Sequence, residues 1–190
     1  MRVASFEEGS FFPRSRGSKT LLLGLVMRNF RIEALELDWV TVDGLDATEA
    51  ILRILERLGK TDVLLLGSIA CAGFNLIDVV RLHSKTGVPV VVVLSKKPRP
   101  FAAESALIRH FDDWRDRLDI LRRAGNPIEV CIGSYTVPLL VCGISVEEAA
   151  SFVEKLAIFG KQPEPLRVAR ILARELSKLL PKAYPHDFKA

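Results

Sequence analysis

The side chains able to do chemistry in this chain fall into small groups, and several familiar arrangements are missing. His83, His110 and His186 stand at no metal-ligand spacing, and Cys71, Cys131 and Cys142 contain no close pair, so no histidine or thiolate metal centre is expected. Gly67 through Gly73 is rich in glycine but lacks the lysine that a phosphate-cradling loop carries, which argues against a nucleoside triphosphatase of that type. Ser68 and Ser134 have no matching histidine and acid for a hydrolase triad. Taken singly, the acids read plainly: Glu7-Glu8 as solvated residues where a strand meets a loop, Asp43-Gly44 as a turn, and Asp46 as the cap of a helix.

The chain has 190 residues, 49% of them hydrophobic and 26% charged, enough for one domain with a full apolar core. The expected division is a single domain over residues 1–180 and a tail over 181–190. The net charge of +4 permits a polyanionic partner without requiring one. The basic residues are spread over Arg14-Ser15-Arg16, Lys96-Lys97-Pro98-Arg99, Arg115 through Arg123 and the tail, a distribution more typical of a solvated face than of one binding stripe. Val88 through Leu94, the longest apolar run, is too short to span a bilayer, and the first eight residues lack a signal core, so a cytoplasmic protein is expected. The three cysteines fit that reading as buried thiols in a reducing compartment.

The elements that would position these residues follow from periodicity. Val3 through Phe6 begins a sheet, Thr20 through Met27 is a strongly apolar strand, and Ile32 through Val42 alternates, with the short turn at Arg28-Asn29 requiring antiparallel pairing. Asp46-Ala47-Thr48-Glu49 reads as a capping box before Ile51, Leu55 and Leu58 at helical spacing. The buried strand Val63 to Leu66 follows, then a helix opening at Gly73-Phe74-Asn75 and closing at Thr86-Gly87, with His83 packed against the sheet. Val88 through Leu94 is the β-branched run of a parallel strand covered on both faces. The spacing predicts one long helix over Ala102 through Arg123, two short strands at Ile128–Ile132 and Val137–Val141, a capping box at Ser145-Val146-Glu147-Glu148, and a last helix with Pro165 in its first turn. A three-strand meander followed by helix, strand, helix, strand is the element order of the RNase H-like fold.

One segment is more specific than any of these. Gly160-Lys161-Gln162-Pro163-Glu164-Pro165-Leu166-Arg167-Val168-Ala169-Arg170 sets two prolines around a glutamate at the opening of an amphipathic helix. It resembles the Pro-Glu-Pro-Thr-Arg stretch of endonuclease V, and the resemblance runs from Val3 to about Glu175. Within that superfamily the chain is most similar to a largely archaeal group of endonuclease V homologues of unassigned function, in which Asp43-Gly44-Leu45-Asp46-Ala47-Thr48 and Ala72-Gly73-Phe74-Asn75 recur. The resemblance implies an α/β protein with an RNase H-like mixed sheet, a three-strand antiparallel meander followed by parallel strands, and helices on both faces.

It also implies a site. Nucleases of this fold hold Mg²⁺ or Mn²⁺ on carboxylates at adjacent strand ends, because these hard ions take oxygen ligands, activate water and neutralise the leaving oxygen. Glu7 matches the catalytic acid of the first strand and Asp43 that of the third, with Asp46 a further metal candidate. Lys96 or Lys97 matches a lysine that would face a phosphate, and Asn75 faces the strand ends where nucleic acid, DNA or RNA, would lie. Two positions depart from the family: Gly67 stands where the third carboxylate belongs, and Arg170 where the last helix carries an acid or histidine. Leu35 through Thr41 also lacks the Pro-Tyr-Ile-Pro wedge that separates strands at a lesion. Three readings follow: a divergent metal-dependent nuclease with an incomplete carboxylate set, a nucleic-acid-binding or interaction protein that kept the fold without catalysis, and a small-ligand pocket built from the backbone of Gly67 through Asn75.

Overall fold

A computed structural model of the chain describes residues 1–11, 16–97 and 99–180. Arg14 and Ser15 of the first basic cluster, Pro98, His186 and the tail over 181–190 lie outside the described residues. Nine strands and six helices follow one another among the described residues. They are β1 (Val3–Glu8), β2 (Lys19–Arg28), β3 (Arg31–Thr41), α1 (Ala47–Leu58), β4 (Val63–Leu66), β5 (Ala70–Cys71), β6 (Asn75–Leu76), α2 (Val79–Thr86), β7 (Val90–Val93), α3 (Pro100–His110), α4 (Trp114–Ala124), β8 (Ile128–Ile132), β9 (Tyr135–Cys142), α5 (Val146–Leu156) and α6 (Glu164–Leu179).

Seven strands form one mixed sheet in the order β3-β2-β1-β4-β7-β9-β8. The first three make the expected antiparallel meander, β4 joins β1 in parallel and β7 joins β4 in parallel. The two short strands near the C-terminus complete the sheet, β9 running antiparallel to β7 and β8 forming the edge. Because side chains alternate along each strand, the even positions of β1 and β4 bury on one face and the odd positions on the other. Phe6, Leu22, Leu64 and Leu66 pack with Ile51 and Ile54 of α1 and Leu82 of α2. On the opposite face Val3, Leu65 and Val91 meet Phe152 of α5 and Leu166 of α6, while Leu23 and Leu25 meet Ala169 and Ala173 of α6. Each such fully buried aliphatic contributes about 1.5–3 kcal/mol. Ile54→Asp, which would put a charge in a fully buried position, breaks the α1 layer.

Local structure departs from expectation in four places. The long helix over Ala102 through Arg123 is two helices, because Phe111 takes an extended backbone (φ −134°, ψ 127°). Its ring then sits 4.1 Å under the Arg117 guanidinium and edge-on to Phe74, 5.5 Å between centroids. The periodicity survived the break because Phe111 is buried either way. The helix expected to open at Gly73 begins only at Val79, capped by Asp78, which accepts from Arg81 N–H at 3.0 Å. Residues 70–76 instead form a tight β5–β6 hairpin whose turn needs left-handed backbone at Ala72 (φ 45°) and Gly73 (φ 85°). Asp46 occupies the N-cap position of α1 without a side-chain cap bond, because its carboxylate is turned toward Thr41. Cys131 is exposed and Cys142 half-buried, so only Cys71 is the buried thiol expected. The capping box at Ser145 and Glu148 forms as read, and His83 lies over Gly143 with Nδ1 2.9 Å from Val88 O.

Candidate active site

The pleat of β1 sends Glu7 and Glu8 to opposite faces. Ser5 precedes Glu7 on the α6 face and donates its hydroxyl to Pro165 O at 2.9 Å, which ties the start of α6 to β1. Farther along, Ser10 N–H donates to Ser177 Oγ at 2.9 Å, and Gly9 is packed against the same serine. With both ends of α6 held, Arg170 falls directly over Glu7. Arg170 Nη2 donates to Glu7 Oε1 at 3.0 Å and Nε approaches Oε2 at 3.4 Å. With its amide oxygen turned toward the guanidinium, Gln162 accepts from Nη1 at 3.1 Å and Nη2 at 3.2 Å.

Gly67 closes the third side. The pairing of Phe6 with Leu66 in the parallel β1–β4 register brings it beside Glu7. A Cβ on Gly67 would stand 2.8 Å from Glu7 Oε1 and 3.3 Å from Arg170 Nη2, and the backbone there lies outside the left-handed region. Glycine therefore serves space at this position, not conformation.

These residues line a cleft of about 290 Å³ with Glu8, Ser68 and Ser95, at the C-terminal ends of β1, β4 and β7. Burial pushes the Glu7 carboxyl up from its ordinary 4.5 to about 7, outweighing the hydrogen bond and charge of Arg170. Burial also raises the Glu8 carboxyl, whose partners are the Cys71 thiol and the Ala72 N–H. Lys161 donates to Ser95 O at 3.0 Å and, with Gln162, lines a smaller extension of the cleft, while Arg174 lines the opposite end beside Glu8 and Gly9. A larger groove of about 690 Å³ lies between α1 and α2, with Arg81 paired to Glu49 across it.

The other expected site residues have different surroundings. Asp43 (φ 59°) binds the β5–β6 turn: its N–H donates to Ala72 O at 2.9 Å, its Oδ1 accepts from Phe74 N–H at 2.8 Å, and its own O accepts from Arg117 Nη2 at 3.0 Å. A Cβ on Gly73 would stand 2.3 Å from Asp43 Oδ1. Although burial alone would raise Asp46, hydrogen bonds from Thr41 N–H and hydroxyl, Lys19 and Asn75 hold it well below the usual carboxylate range. Asn75 is fully buried, accepting from Ala47 N–H at 2.9 Å and donating to Thr41 O at 2.8 Å and Asp46 Oδ1 at 2.6 Å. Lys96 and Lys97 are exposed just after Ser95, with Lys97 Nζ 3.5 Å from Glu129 Oε1.

Glu7 therefore meets Arg170 and shares its cleft with Glu8, whereas Asp46 bonds the buried Asn75 and Asp43 bonds the β5–β6 turn and Arg117. Among the described residues no group of three or more His, Cys, Asp or Glu side chains could hold a metal ion. The donor set does not fit Mg²⁺ or Mn²⁺: one carboxylate is matched by a guanidinium, the neighbouring strand ends in glycine, and both Asp46 oxygens are spent on hydrogen bonds. The sequence alone gave no reason to group Gln162, Lys161 and Ser95 with Glu7. The signal available was the position of Gln162 next to the Pro-Glu-Pro run.

Comparison with known proteins points one way. A family model described as Endonuclease dU matches residues 1–177. A UPF0215 protein of Pyrococcus horikoshii is 39% identical over 176 residues, covering 91% of this chain and 90% of the relative. A solved protein of unknown function from Archaeoglobus fulgidus superposes with a TM-score of 0.80 at 29% identity, covering 92% of this chain and 97% of that one. Endonuclease V of Ciona intestinalis, solved with a 23mer DNA containing an inosine followed by a ribo-adenosine, superposes with a TM-score of 0.59 at 14% identity over 94% of this chain and 86% of its own, a likeness of fold.

Proposed function

The chain belongs to the endonuclease dU family, and from that premise we propose that it is a nucleic-acid phosphodiesterase whose reaction takes place in the Glu7–Arg170 cleft. One observation carries the reading: a buried carboxylate with its pKa near 7 stands 3.0 Å from a half-exposed arginine where two parallel strands end. Those are the two things that cleavage of a phosphodiester needs from a protein, a base able to take a proton at neutral pH and a fixed cation for the phosphoryl oxygens. Among the described residues no three carboxylate, imidazole or thiol groups converge to hold the expected divalent ion, Mg²⁺ or Mn²⁺, so no step is assigned to it.

Glu7 and Gln162 together hold the plane of the Arg170 guanidinium and leave one Nη1 N–H, with the positive charge, for a non-bridging phosphate oxygen. Glu7, as the carboxylate, takes a proton from the attacking water. That oxygen forms a bond to phosphorus while the bond to the leaving sugar oxygen breaks and its electron pair stays on that oxygen. The proton held by Glu7 then passes to the leaving oxygen. Lys161 and Arg174 extend the positive lining on either side of the cleft, where a strand's flanking phosphates would run. Nucleic acid as partner is supported by the DNA in the structure of the endonuclease V neighbour. No helix among the described residues is long and apolar enough to cross a membrane, and we place the protein in the cytoplasm on its free cysteines.

The test is cleavage of end-labelled single- and double-stranded oligonucleotides carrying deoxyuridine, inosine or a ribonucleotide. Wild type is expected to cut at least one of them, with a rate that rises with pH and levels off above about 7 as Glu7 loses its proton. Arg170→Ala is expected to lower kcat/KM by about 10²–10³. Binding of these strands with no cleavage of any would leave the alternative, a nucleic-acid-binding protein on the nuclease fold. The incomplete carboxylate set is the observation that favours that alternative.

A further inference from the structure

We propose that the Arg170 guanidinium is the built-in cation of this cleft, so that the site takes a phosphodiester without a divalent ion. The inference rests on the phosphodiester reading above, but its geometry stands independently. Glu7 has a side chain only 10% exposed, and the positive charge matching it comes from Arg170 at 3.0 Å. The space beyond the end of β4 is occupied by that pair: a Cβ on Gly67 would meet Glu7 Oε1 at 2.8 Å and Arg170 Nη2 at 3.3 Å. The Gly67 backbone lies outside the left-handed region, so what glycine supplies here is space beside the pair. A side chain at residue 67 would have to share this space with the ends of Glu7 and Arg170.

The neighbouring groups hold the guanidinium in place. Gln162 accepts from both Nη atoms, and the Ser5–Pro165 bond fixes the first turn of α6. Glu8, the other acid in the cleft, is engaged by the Ala72 N–H and the Cys71 thiol. A divalent ion bound by Glu7 would have to displace Arg170 or sit beside it as a like charge at short range. An anion has the opposite relation: Arg170 is 43% exposed at its side chain, and one Nη1 N–H is left after Glu7 and Gln162 have taken the other donors.

The experiment has two readouts, neither requiring cleavage. Mn²⁺ is titrated calorimetrically into wild type and into Gly67→Asp/Arg170→Asp, and a fluorescein-labelled twelve-residue oligonucleotide is titrated with wild type and Arg170→Ala in EDTA. Wild type is expected to bind no stoichiometric Mn²⁺, to bind the oligonucleotide within twofold of its affinity without EDTA, and to lose at least tenfold in Arg170→Ala. The double variant, its fold checked by circular dichroism, is expected to gain one Mn²⁺ per chain. Stoichiometric Mn²⁺ binding by wild type, oligonucleotide binding that disappears in EDTA, or a folded double variant that still binds no Mn²⁺ would each overturn the inference. If wild type passes all of these yet cuts no strand, the cleavage reading fails while the built-in cation stands.

Discussion

Burial of Glu7 beside Arg170 makes folding depend on pH. The folded carboxyl titrates at about 7 and the unfolded one at 4.5, so between those values the native state holds a proton that the unfolded chain has released. The resulting stabilisation is fully present below the unfolded pKa and is lost as pH rises through the folded one, a change of about 3 kcal/mol. Glu7→Gln removes this dependence. Relative to wild type it is expected to melt about 6–12 °C higher near pH 8 and to lose that advantage near pH 4.5, as thermal melts at the two pH values would show. A variant stabilised at alkaline pH but impaired in cleavage is what a group kept for chemistry predicts; the same difference from wild type at both pH values would mean that folding leaves the Glu7 carboxyl at its ordinary value.

At the scale of elements, the β5–β6 hairpin is held by two residues that make no contact with Glu7. Asn75 satisfies the first N–H of α1 and ties it to the end of β3, so Asn75→Ala leaves buried partners unpaired and is expected to cost about 3 kcal/mol in urea unfolding. Arg117, 3% exposed, donates to Gly44 O, Phe74 O and Asp43 O and is bridged by Asp113, clamping α4 to the turn after β3. Removing it leaves three carbonyls without their donor, while the half-exposed Asp113 carboxylate turns to water, so Arg117→Ala is expected to destabilise by about 3 kcal/mol, read from the same urea midpoints. Asp43 with positive φ in a turn and the fully buried Asn75 both meet specific architectural requirements. A residue's type gives its capacity to bond; which partner takes that capacity depends on what the fold brings beside it.

Across the whole molecule the modest net charge of +4 places weight on where the cations lie. Lys161, Arg170 and Arg174 line the connected clefts, and Lys96 follows Ser95 at their edge. Lys96→Ala is expected to reduce the salt slope of single-strand binding by about 0.7, and Lys97→Ala by less, because Glu129 already answers Lys97. Fluorescence anisotropy over a range of salt concentrations would measure both; unchanged slopes would put the strand elsewhere. By itself the sequence determined the meander, the parallel pair, the helices with strong apolar periodicity and the Ser145 cap, since each follows from local alternation or from bonds within a few residues. The Pro-Glu-Pro run gave the family, and Gly67 and Arg170 were visible as departures from it. Only the tertiary structure decided that these two departures belong together. Glu7, Gly67 and Arg170 lie on β1, at the end of β4 and on α6, and their contact arises from the parallel register of β1 with β4 and from the anchoring of α6 at both ends. No local pattern encodes that distance, because pairing residues so far apart in sequence is fixed by the packing of the whole sheet and its helices.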